Sequence, residues 1–453
     1  MSQPWSPGSW RSRPIQQQPR YADEAAVERA LARVKGLPPL VAPGEIDALR
    51  QQLARAARGE AFVLHGGDCA ERFVDCAPEP IEAKLKILLQ MSLVLTWGAR
   101  IPVVRVGRLA GQYAKPRSSD TEVVGGVTLP SYRGDHVNGI EPTAAAREPD
   151  PERLVAAYFH SAATLNYARA LLDGGFADLH KPHHWNLGFV RSATHRAEYE
   201  ALVARILDAL AFVELAGVRS AAFETVDLYS SHEGLLLAYE EAQTTERDGR
   251  YYNTGAHMLW IGERTRELDH AHVEYFRGVE NPVGVKLGPT AAPDDVLRLL
   301  DVLAPDDAPG RVTLITRLGA GRVDAALPPL VEAVRASGRT VVWSCDPMHG
   351  NTTKTADGTK TREVDRVLAE LRDTLAVHDR LGTTLGGVHF ELTGEDVTEC
   401  VGGPQELGEA DLARRYDTTC DPRLNYAQSL EMAFLLARRL QARRAGAAEP
   451  PLR

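Results

Sequence analysis

The chain has 453 residues, a formal net charge of −9 and 44% hydrophobic residues. This mildly acidic composition gives no support for a nucleic-acid-binding or anionic-membrane surface, and it excludes disordered and fibrous classes. No apolar run reaches the ~20 residues that a membrane span needs, and residues 1–20 lack the apolar core of a signal peptide. Five cysteines without a CxxC motif indicate reduced thiols, so we expect a cytoplasmic protein without nucleic-acid or membrane partners.

Residues 1–58 are predicted to form an N-terminal arm with helices at Glu24–Val34 and Glu45–Arg58. After the arm, short apolar runs recur and most precede helical periodicity, which is typical of a parallel α/β protein. We therefore predict a (β/α)8 TIM barrel over residues 59–441. Its eight strands are expected at 61–65, 101–106, 220–226, 257–262, 283–287, 312–316, 340–344 and 387–392.

A ninth run at 179–185 is excluded because Pro182 would remove a hydrogen bond from a central strand. About 110 residues separate the second predicted strand from the third, whereas later intervals are mostly 25 to 45 residues. This gap predicts a helical insertion at about 119–218, because Pro151–Leu172 carries apolar residues at helical spacing. Residues 442–453 are expected to form a frayed tail.

Cations follow several of the predicted strands. Because the carboxyl ends of the strands form the active-site face of such a barrel, these side chains should meet at one mouth. Asp227 and Glu263 also follow strands, and the cations are Arg108, Arg264, Lys286 and Arg317, joined by Lys115 and Arg117 from the loop at 112–118. So much like charge in one place favours a polyanionic substrate. The alternative is that each cation forms an ordinary surface ion pair.

Four residues near the same ends could bind a metal: Cys69, His349, Glu391 and Asp421. One thiolate, one imidazole and two carboxylates suit a borderline divalent ion such as Mn, Fe, Co or Zn better than Mg or Ca. The four are spread over about 350 residues, so the barrel must bring them together. The alternative is that they are inert, as lone cysteines and histidines usually are.

Motifs for other chemistries are absent from the sequence. It contains no GxGxxG, GxxxxGK[ST] or GxSxG pattern, which removes support for nicotinamide, P-loop and acyl-transfer enzymes. Lys286 could form a Schiff base with a carbonyl substrate, as in an aldolase. Among several other cations, a phosphate-binding role is the interpretation that we favour.

Seven longer strings carry a family resemblance. They are GGDCAE at 66–71, GQYAKPRS at 111–118, SYRGD at 131–135, WIGERTR at 260–266, DPMHGNT at 346–352, TGEDVTEC at 393–400 and CDPRLN at 420–425. In this order, and over essentially the whole chain, they resemble the class II (plant-type) 3-deoxy-D-arabino-heptulosonate-7-phosphate (DAHP) synthases. The resemblance implies a TIM barrel that condenses phosphoenolpyruvate with erythrose 4-phosphate in the first step of the shikimate pathway.

The resemblance also implies roles for individual residues. Cys69, His349, Glu391 and Asp421 would bind a divalent metal, with Mn2+ preferred and Co2+ or another ion possible. The phosphoenolpyruvate site would comprise Arg108, Glu263, Arg264, Lys286 and Arg317, and the erythrose 4-phosphate site Lys115, Arg117 and Ser118. Lys115, Glu263, Lys286 and His349 would be the catalytic residues.

Two positions depart from the family pattern. Asp227 stands where a glutamate is usual, six residues before Glu233, which puts its substrate contact in doubt, and Asp396 stands in place of an asparagine. A homo-oligomer is expected, with a chorismate mutase or an aromatic amino acid as a possible effector. The alternatives are a DAHP-type synthase of a specialised secondary pathway, another metal-dependent barrel aldolase and a catalytically silent regulatory protein.

Overall fold

The computed structural model describes residues 4–176, residues 226–445 and six helical positions between 197 and 208. The strands are β1 Phe62–Gly67, β2 Val103–Arg108, β3 Thr121–Val124, β4 Val127–Pro130, β5 Tyr229–Glu233, β6 Thr244–Arg247, β7 Arg250–Asn253, β8 Met258–Ile261, β9 Val283–Leu287, β10 Val312–Thr316, β11 Val342–Cys345, β12 Thr352–Lys354, β13 Lys360–Arg362 and β14 Leu385–Glu391.

The main helices follow the same order along the chain. They are α1 Glu24–Lys35, α2 Pro43–Ala57, α3 Pro78–Ala99, α4 Ala144–Arg147, α5 Glu152–Leu171, α6 Leu237–Ala242, α7 Ala271–Phe276, α8 Pro293–Leu303, α9 Val323–Ser337, α10 Val364–Arg380 and α11 Tyr426–Ala445. Short 3-10 helices lie at Ser9–Ser12, Phe73–Asp75 and Glu409–Arg414, and a π-helical turn lies at Leu172–Phe176. Among the described helices, none is both long enough and apolar enough to cross a bilayer.

Eight parallel strands close into a barrel in the order β1-β14-β11-β10-β9-β8-β5-β2. The predicted TIM barrel is confirmed, and seven of its strands overlap the predicted apolar runs. Strands β3–β4, β6–β7 and β12–β13 form three separate antiparallel hairpins. The first and last of these lie in connections that follow barrel strands at the mouth, after β2 and β11, so they help to shape that face.

The third barrel strand is Tyr229–Glu233 and not the predicted run at 220–226, of which all but Val226 lies outside the described residues. The reason lies in its sequence, Tyr-Ser-Ser-His-Glu, which is buried but polar. The Ser231 side chain hydrogen-bonds with His65 and with the backbone oxygen of Gly107, and the strand carries no aliphatic run. The excluded run at 179–185 also lies outside the described residues.

The amino-terminal ends of the strands are closed by α2. Leu49 and Leu53 of this helix pack with Val63, Tyr229 and Val342 at the bottom of the barrel. Pro43 opens the helix, and the Glu45 carboxylate accepts a hydrogen bond from the Ala42 amide, which satisfies a free N–H group at the helix start. Because this end is plugged by aliphatic side chains, the opposite end is left as the mouth.

The insertion is only partly helical in its described part. It begins with the β3–β4 hairpin, whose tip is Gly125-Gly126 with positive φ at both residues, and continues into α4 and α5. The helix α5 matches the predicted helical pattern, and it packs against α1 and α3. At the other end of the chain, α11 extends into the predicted tail as far as Ala445 and packs along α3.

Candidate active site

A pocket of about 330 Å³ opens at the carboxyl ends of the barrel strands. Five cations that the sequence singled out line it: Arg108, Lys115, Arg264, Lys286 and Arg317. The same walls carry Cys69, Glu233, Trp260, Glu263, His349, Glu391 and Asp421. The barrel therefore brings together side chains that are far apart in sequence, as the strand-end argument predicted.

Three of the four predicted metal ligands form one group. A sulfur of Cys69 and carboxylate oxygens of Glu391 and Asp421 all lie within 4.8 Å of one another. Ligand atoms about 2.0–2.3 Å from a shared metal lie within such a distance of each other, so this donor set fits one divalent ion. The fourth predicted ligand, His349, lies beside the group, with Nε2 3.0 Å from Oε1 of Glu391.

Two lysines balance the negative charge of this group. Lys115 Nζ lies 3.1 Å from the Cys69 sulfur and 2.8 Å from Oδ2 of Asp421, and Lys360 Nζ lies 2.7 Å from Oδ1 of Asp421. Burial opposes ionisation of Asp421, but Lys115, Arg362 and Lys360 hold its pKa well below the usual range. Burial raises the pKa of Cys69, and the Lys115 ammonium acts in the opposite direction. The proposed metal ligands thus carry negative charge and are surrounded by cationic side chains.

Asp346 connects His349 with Lys286. Its Oδ2 lies 2.7 Å from Nδ1 of His349 and 2.5 Å from Nζ of Lys286. An imidazole that donates Nδ1–H to a carboxylate leaves Nε2 available as a metal ligand. Burial lowers the pKa of Lys286 to about 8, while Asp346 opposes this shift. A lysine held by a carboxylate in this way remains an ammonium at neutral pH, which favours anion binding over Schiff-base formation.

The remaining predicted phosphoenolpyruvate residues surround these groups. Arg108 is 2% exposed and its guanidinium donates to the backbone oxygens of Asp68 and Cys69 and to Glu391. Arg317 donates to the backbone oxygen of His349. Glu263 accepts from the Gly288 amide and pairs with Arg266, which fixes its carboxylate at the rim.

Arg117 and Ser118 follow Lys115 and Pro116 but do not line this pocket. Arg117 forms an ion pair with Glu122 of the β3–β4 hairpin, and Ser118 Oγ accepts from Arg264 Nη2 at 3.1 Å. The loop that carries them is therefore fixed beside the mouth, next to the pocket and not inside it.

The N-terminal arm holds the same loop. The side-chain oxygen of Gln17 accepts a hydrogen bond from the Arg117 amide at 2.8 Å. Gln17 has a φ of 65°, so the backbone of the arm turns at this residue. Neighbouring arm residues attach to the barrel, because the Gln18 side-chain amide donates to the backbone oxygen of Leu235 and the backbone oxygen of Pro14 accepts from the backbone amide of Ala271. Sequence reasoning gave the arm no part in the site, and no motif marks it.

The prediction that Asp227 belongs to the mouth is wrong. It precedes β5, and its carboxylate accepts a hydrogen bond from Gln52 of α2, the helix that plugs the opposite end of the barrel. The error follows from the misplaced third strand, because the position that ends the true strand is Glu233. Asp227 is therefore too far along the barrel to contact a substrate in the pocket.

Glu233 is the carboxylate that sequence reasoning missed. It ends β5, lines the pocket, and its Oε1 has no hydrogen-bond partner in the described part of the structure. Burial raises the pKa of Glu233, although Lys286, Arg108, His349 and Arg264 act in the opposite direction. Placing the third strand at 229–233 would have found this residue, because Glu233 then follows the same strand-end rule as Arg108.

Arg362 was also missed. This arginine of β13 is fully buried, and its guanidinium lies 2.7 Å from Oε2 of Glu391. Together with Lys360 on the same strand, it brings the β12–β13 hairpin against the proposed metal ligands. The hairpin has only three residues in each strand, and no periodicity reveals a strand of that length.

Comparison with known proteins gives one consistent result. The family described as the Class-II DAHP synthetase family matches residues 5–437. A phospho-2-dehydro-3-deoxyheptonate aldolase of Neurospora crassa is 52% identical over 96% of this chain and 94% of its own length. A protein of the same name from Streptomyces coelicolor is 52% identical over 96% and 97%, and the AroG aldolase of Mycolicibacterium smegmatis is 50% identical over 95% and 93%.

Proposed function

The chain belongs to the class-II DAHP synthetase family, and from this premise we propose how its residues divide the work of the reaction. It is a DAHP synthase, which condenses phosphoenolpyruvate, erythrose 4-phosphate and water to 3-deoxy-D-arabino-heptulosonate 7-phosphate and phosphate, the first step of the shikimate pathway. The observation that carries the residue assignment is the convergence of five cations with a metal-binding donor group in one pocket.

Phosphoenolpyruvate is assigned to the cations of the deeper pocket. Arg108 lies on β2, Lys286 lies on β9 and Arg317 directly follows β10. They line one pocket, with Arg264 at the rim. Guanidinium groups match phosphate and carboxylate oxygens in a bidentate manner, and lysine adds a compact charge. Because the cations are held by backbone oxygens and carboxylates before substrate arrives, little reorganisation accompanies anion binding.

Erythrose 4-phosphate is assigned to the outer loop. Lys115 reaches the pocket from this loop, while Arg117 and Ser118 follow it at the mouth. An aldose whose phosphate lies on this loop would direct its aldehyde inward, toward the donor group. Asp227 has no part in this assignment.

A divalent ion, Mn2+ by preference, is assigned to Cys69, Glu391 and Asp421, with His349 as the fourth ligand. When bound there, such an ion supplies Lewis-acid polarisation of the aldehyde oxygen. The support for this assignment is the mixed thiolate and carboxylate donor set, and the Asp346 contact that holds Nδ1 of His349 and directs Nε2 toward Glu391.

The residues of the chain then account for the other requirements of the condensation. C3 of phosphoenolpyruvate attacks the aldehyde carbon, water adds to C2, and the resulting hemiketal phosphate loses phosphate by cleavage of its C–O bond. Arg108, Lys286 and Arg317 hold the anionic substrate in place and stabilise the departing phosphate. Glu263 and Glu233 are the carboxylates available to orient and deprotonate the water.

The two carboxylates differ in their surroundings, which favours Glu233 as the proton acceptor. Glu263 already accepts from Gly288 and pairs with Arg266, whereas the Oε1 of Glu233 has no partner in the described structure. Lys115, with an ammonium 2.8 Å from Asp421, is placed to donate a proton to the developing alkoxide.

We further propose a cytoplasmic homo-oligomer that responds to an aromatic amino acid or to a chorismate mutase. This proposal is supported by membership of the family and by the position of the reaction at the start of a pathway. An assay of phosphate release with both substrates, with each substrate omitted in turn, tests the proposed function. Substitution of Arg317 by alanine in the same assay tests the assignment of the phosphoenolpyruvate site.

A further inference from the structure

A chain of hydrogen bonds runs beneath the pocket through the interior of the barrel. Arg108 Nη1 lies 2.6 Å from His389 Nε2, and His389 Nδ1 lies 3.0 Å from His65 Nδ1. His65 Nε2 lies 2.7 Å from Ser231 Oγ, which donates to the backbone oxygen of Gly107 at 2.9 Å. Arg108, His389, His65 and Ser231 are each at most 2% exposed.

Only one arrangement of protons satisfies every contact in this chain. A guanidinium can only donate, so His389 Nε2 must accept and its proton must lie on Nδ1. That proton is donated to His65 Nδ1, which places the proton of His65 on Nε2 and directs it to Ser231 Oγ. Both imidazoles are therefore neutral, because a second proton on either ring would set one N–H group against another.

The surroundings fix both rings in this state. Trp260 packs edge-on against both rings, with centroid distances of 5.5 Å to His65 and 5.3 Å to His389. Burial, followed by the charges of Arg108 and Lys286, holds the pKa of His65 well below its usual value. The guanidinium of Arg108 also lies 5.0 Å above the Trp260 ring, so arginine and imidazoles share one rigid wall.

We propose that His389 is a positioning residue for Arg108, and that its neutral imidazole orients the guanidinium without consuming its charge. Arg108 already pairs with the Glu391 carboxylate, and a second carboxylate at position 389 would add further negative charge beside a cation that the substrate needs. The neutral imidazole instead supplies a hydrogen-bond acceptor without adding that negative charge. This inference rests on the proposed role of Arg108 in binding phosphoenolpyruvate.

Three substitutions of His389 separate orientation from charge. We expect His389→Gln, whose amide oxygen is a neutral acceptor, to bind phosphoenolpyruvate within about 3-fold of wild type. His389→Leu removes the acceptor from a charged donor and should weaken binding by about 10- to 100-fold. His389→Glu keeps an acceptor but adds negative charge, and a comparable loss is expected. Calorimetric titration with phosphoenolpyruvate measures all three without turnover.

Steady-state kinetics distinguishes positioning from general damage. The KM for phosphoenolpyruvate should rise in His389→Leu, while the KM for erythrose 4-phosphate stays within about 2-fold, because the aldose is not held by Arg108. Equal rises in both, or a His389→Glu variant that binds like His389→Gln, would overturn the proposal.

A second site keeps the test independent of how well the His389 variants fold. Ser231→Ala removes the far end of the chain and should weaken phosphoenolpyruvate binding by about 3- to 10-fold. Ser344→Ala is the matched control, because this buried hydroxyl has no partner in the described structure and should leave binding unchanged. Equal binding by both alanine variants overturns the inference, whereas failure of wild type to bind phosphoenolpyruvate overturns the proposed function itself.

Discussion

Nδ1 of His349 lies 2.7 Å from Oδ2 of Asp346. This contact places a proton on Nδ1, because the carboxylate accepts a hydrogen bond from Nδ1–H, and it directs Nε2 toward Glu391 at 3.0 Å. Asp346 also accepts from Lys286, so one buried carboxylate aligns a proposed metal ligand and a proposed phosphoenolpyruvate ligand. Asp346 therefore links the proposed metal site to the proposed phosphoenolpyruvate site.

Asp346→Asn is expected to lower metal affinity by about 10- to 100-fold, the usual cost of losing a carboxylate partner of a metal-binding histidine. The amide can present its NH2 group to His349 and so favour the wrong tautomer. Titration of metal-stripped protein with Mn2+, followed by metal analysis, measures the change. Asp365→Asn, a substitution on α10 away from this pocket, is the control. Equal affinity in wild type and Asp346→Asn would show that Asp346 does not support a metal ligand.

The efficiency with phosphoenolpyruvate should fall as the pH rises through about 8. Burial lowers the pKa of Lys286 to about 8, so the free enzyme loses this ammonium above that pH and attracts the anionic substrate less strongly. The measurement is the pH profile of kcat/KM. In Lys286→Arg the alkaline limb should move to much higher pH, because arginine stays charged. An unchanged limb in this variant would assign the titration to another group.

Glu233→Gln should lower kcat by about 100- to 10,000-fold if this carboxylate accepts a proton from water. The amide keeps the size of the side chain, so the KM values should change little. Single-turnover phosphate release measures the chemical step directly. Glu267→Gln, at an exposed position beyond Glu263, is the matched control. A near wild-type kcat in Glu233→Gln would indicate that Glu263, and not Glu233, accepts the proton from water.

Gln17→Gly should raise the KM for erythrose 4-phosphate by about 5-fold, the value of one lost hydrogen bond to the Arg117 amide. Glycine accepts the positive φ of this position, so the backbone of the arm is not strained by the change. Gln16→Gly is the control in the same segment. An increase confined to the KM for phosphoenolpyruvate would contradict the proposed division of the two substrate sites.

Much of the barrel could be predicted because aliphatic strands and helical periodicity reflect burial directly. The third strand could not, because Ser231 in the barrel interior hydrogen-bonds with His65 and the strand therefore lacks an apolar run. The same error placed Asp227 at the mouth and concealed Glu233. Arg362 and Gln17 act through contacts across distant segments, which no local pattern contains.

In the proposed mechanism one metal-bearing pocket joins two anionic substrates, and release of phosphate from phosphoenolpyruvate tests this mechanism most directly. The assay compares metal-loaded enzyme with and without erythrose 4-phosphate, then repeats both after chelation and after return of Mn2+. We expect release only when the aldose is present, loss of release on chelation, and recovery with Mn2+. Release without the aldose, or full activity in metal-free protein, would contradict the account.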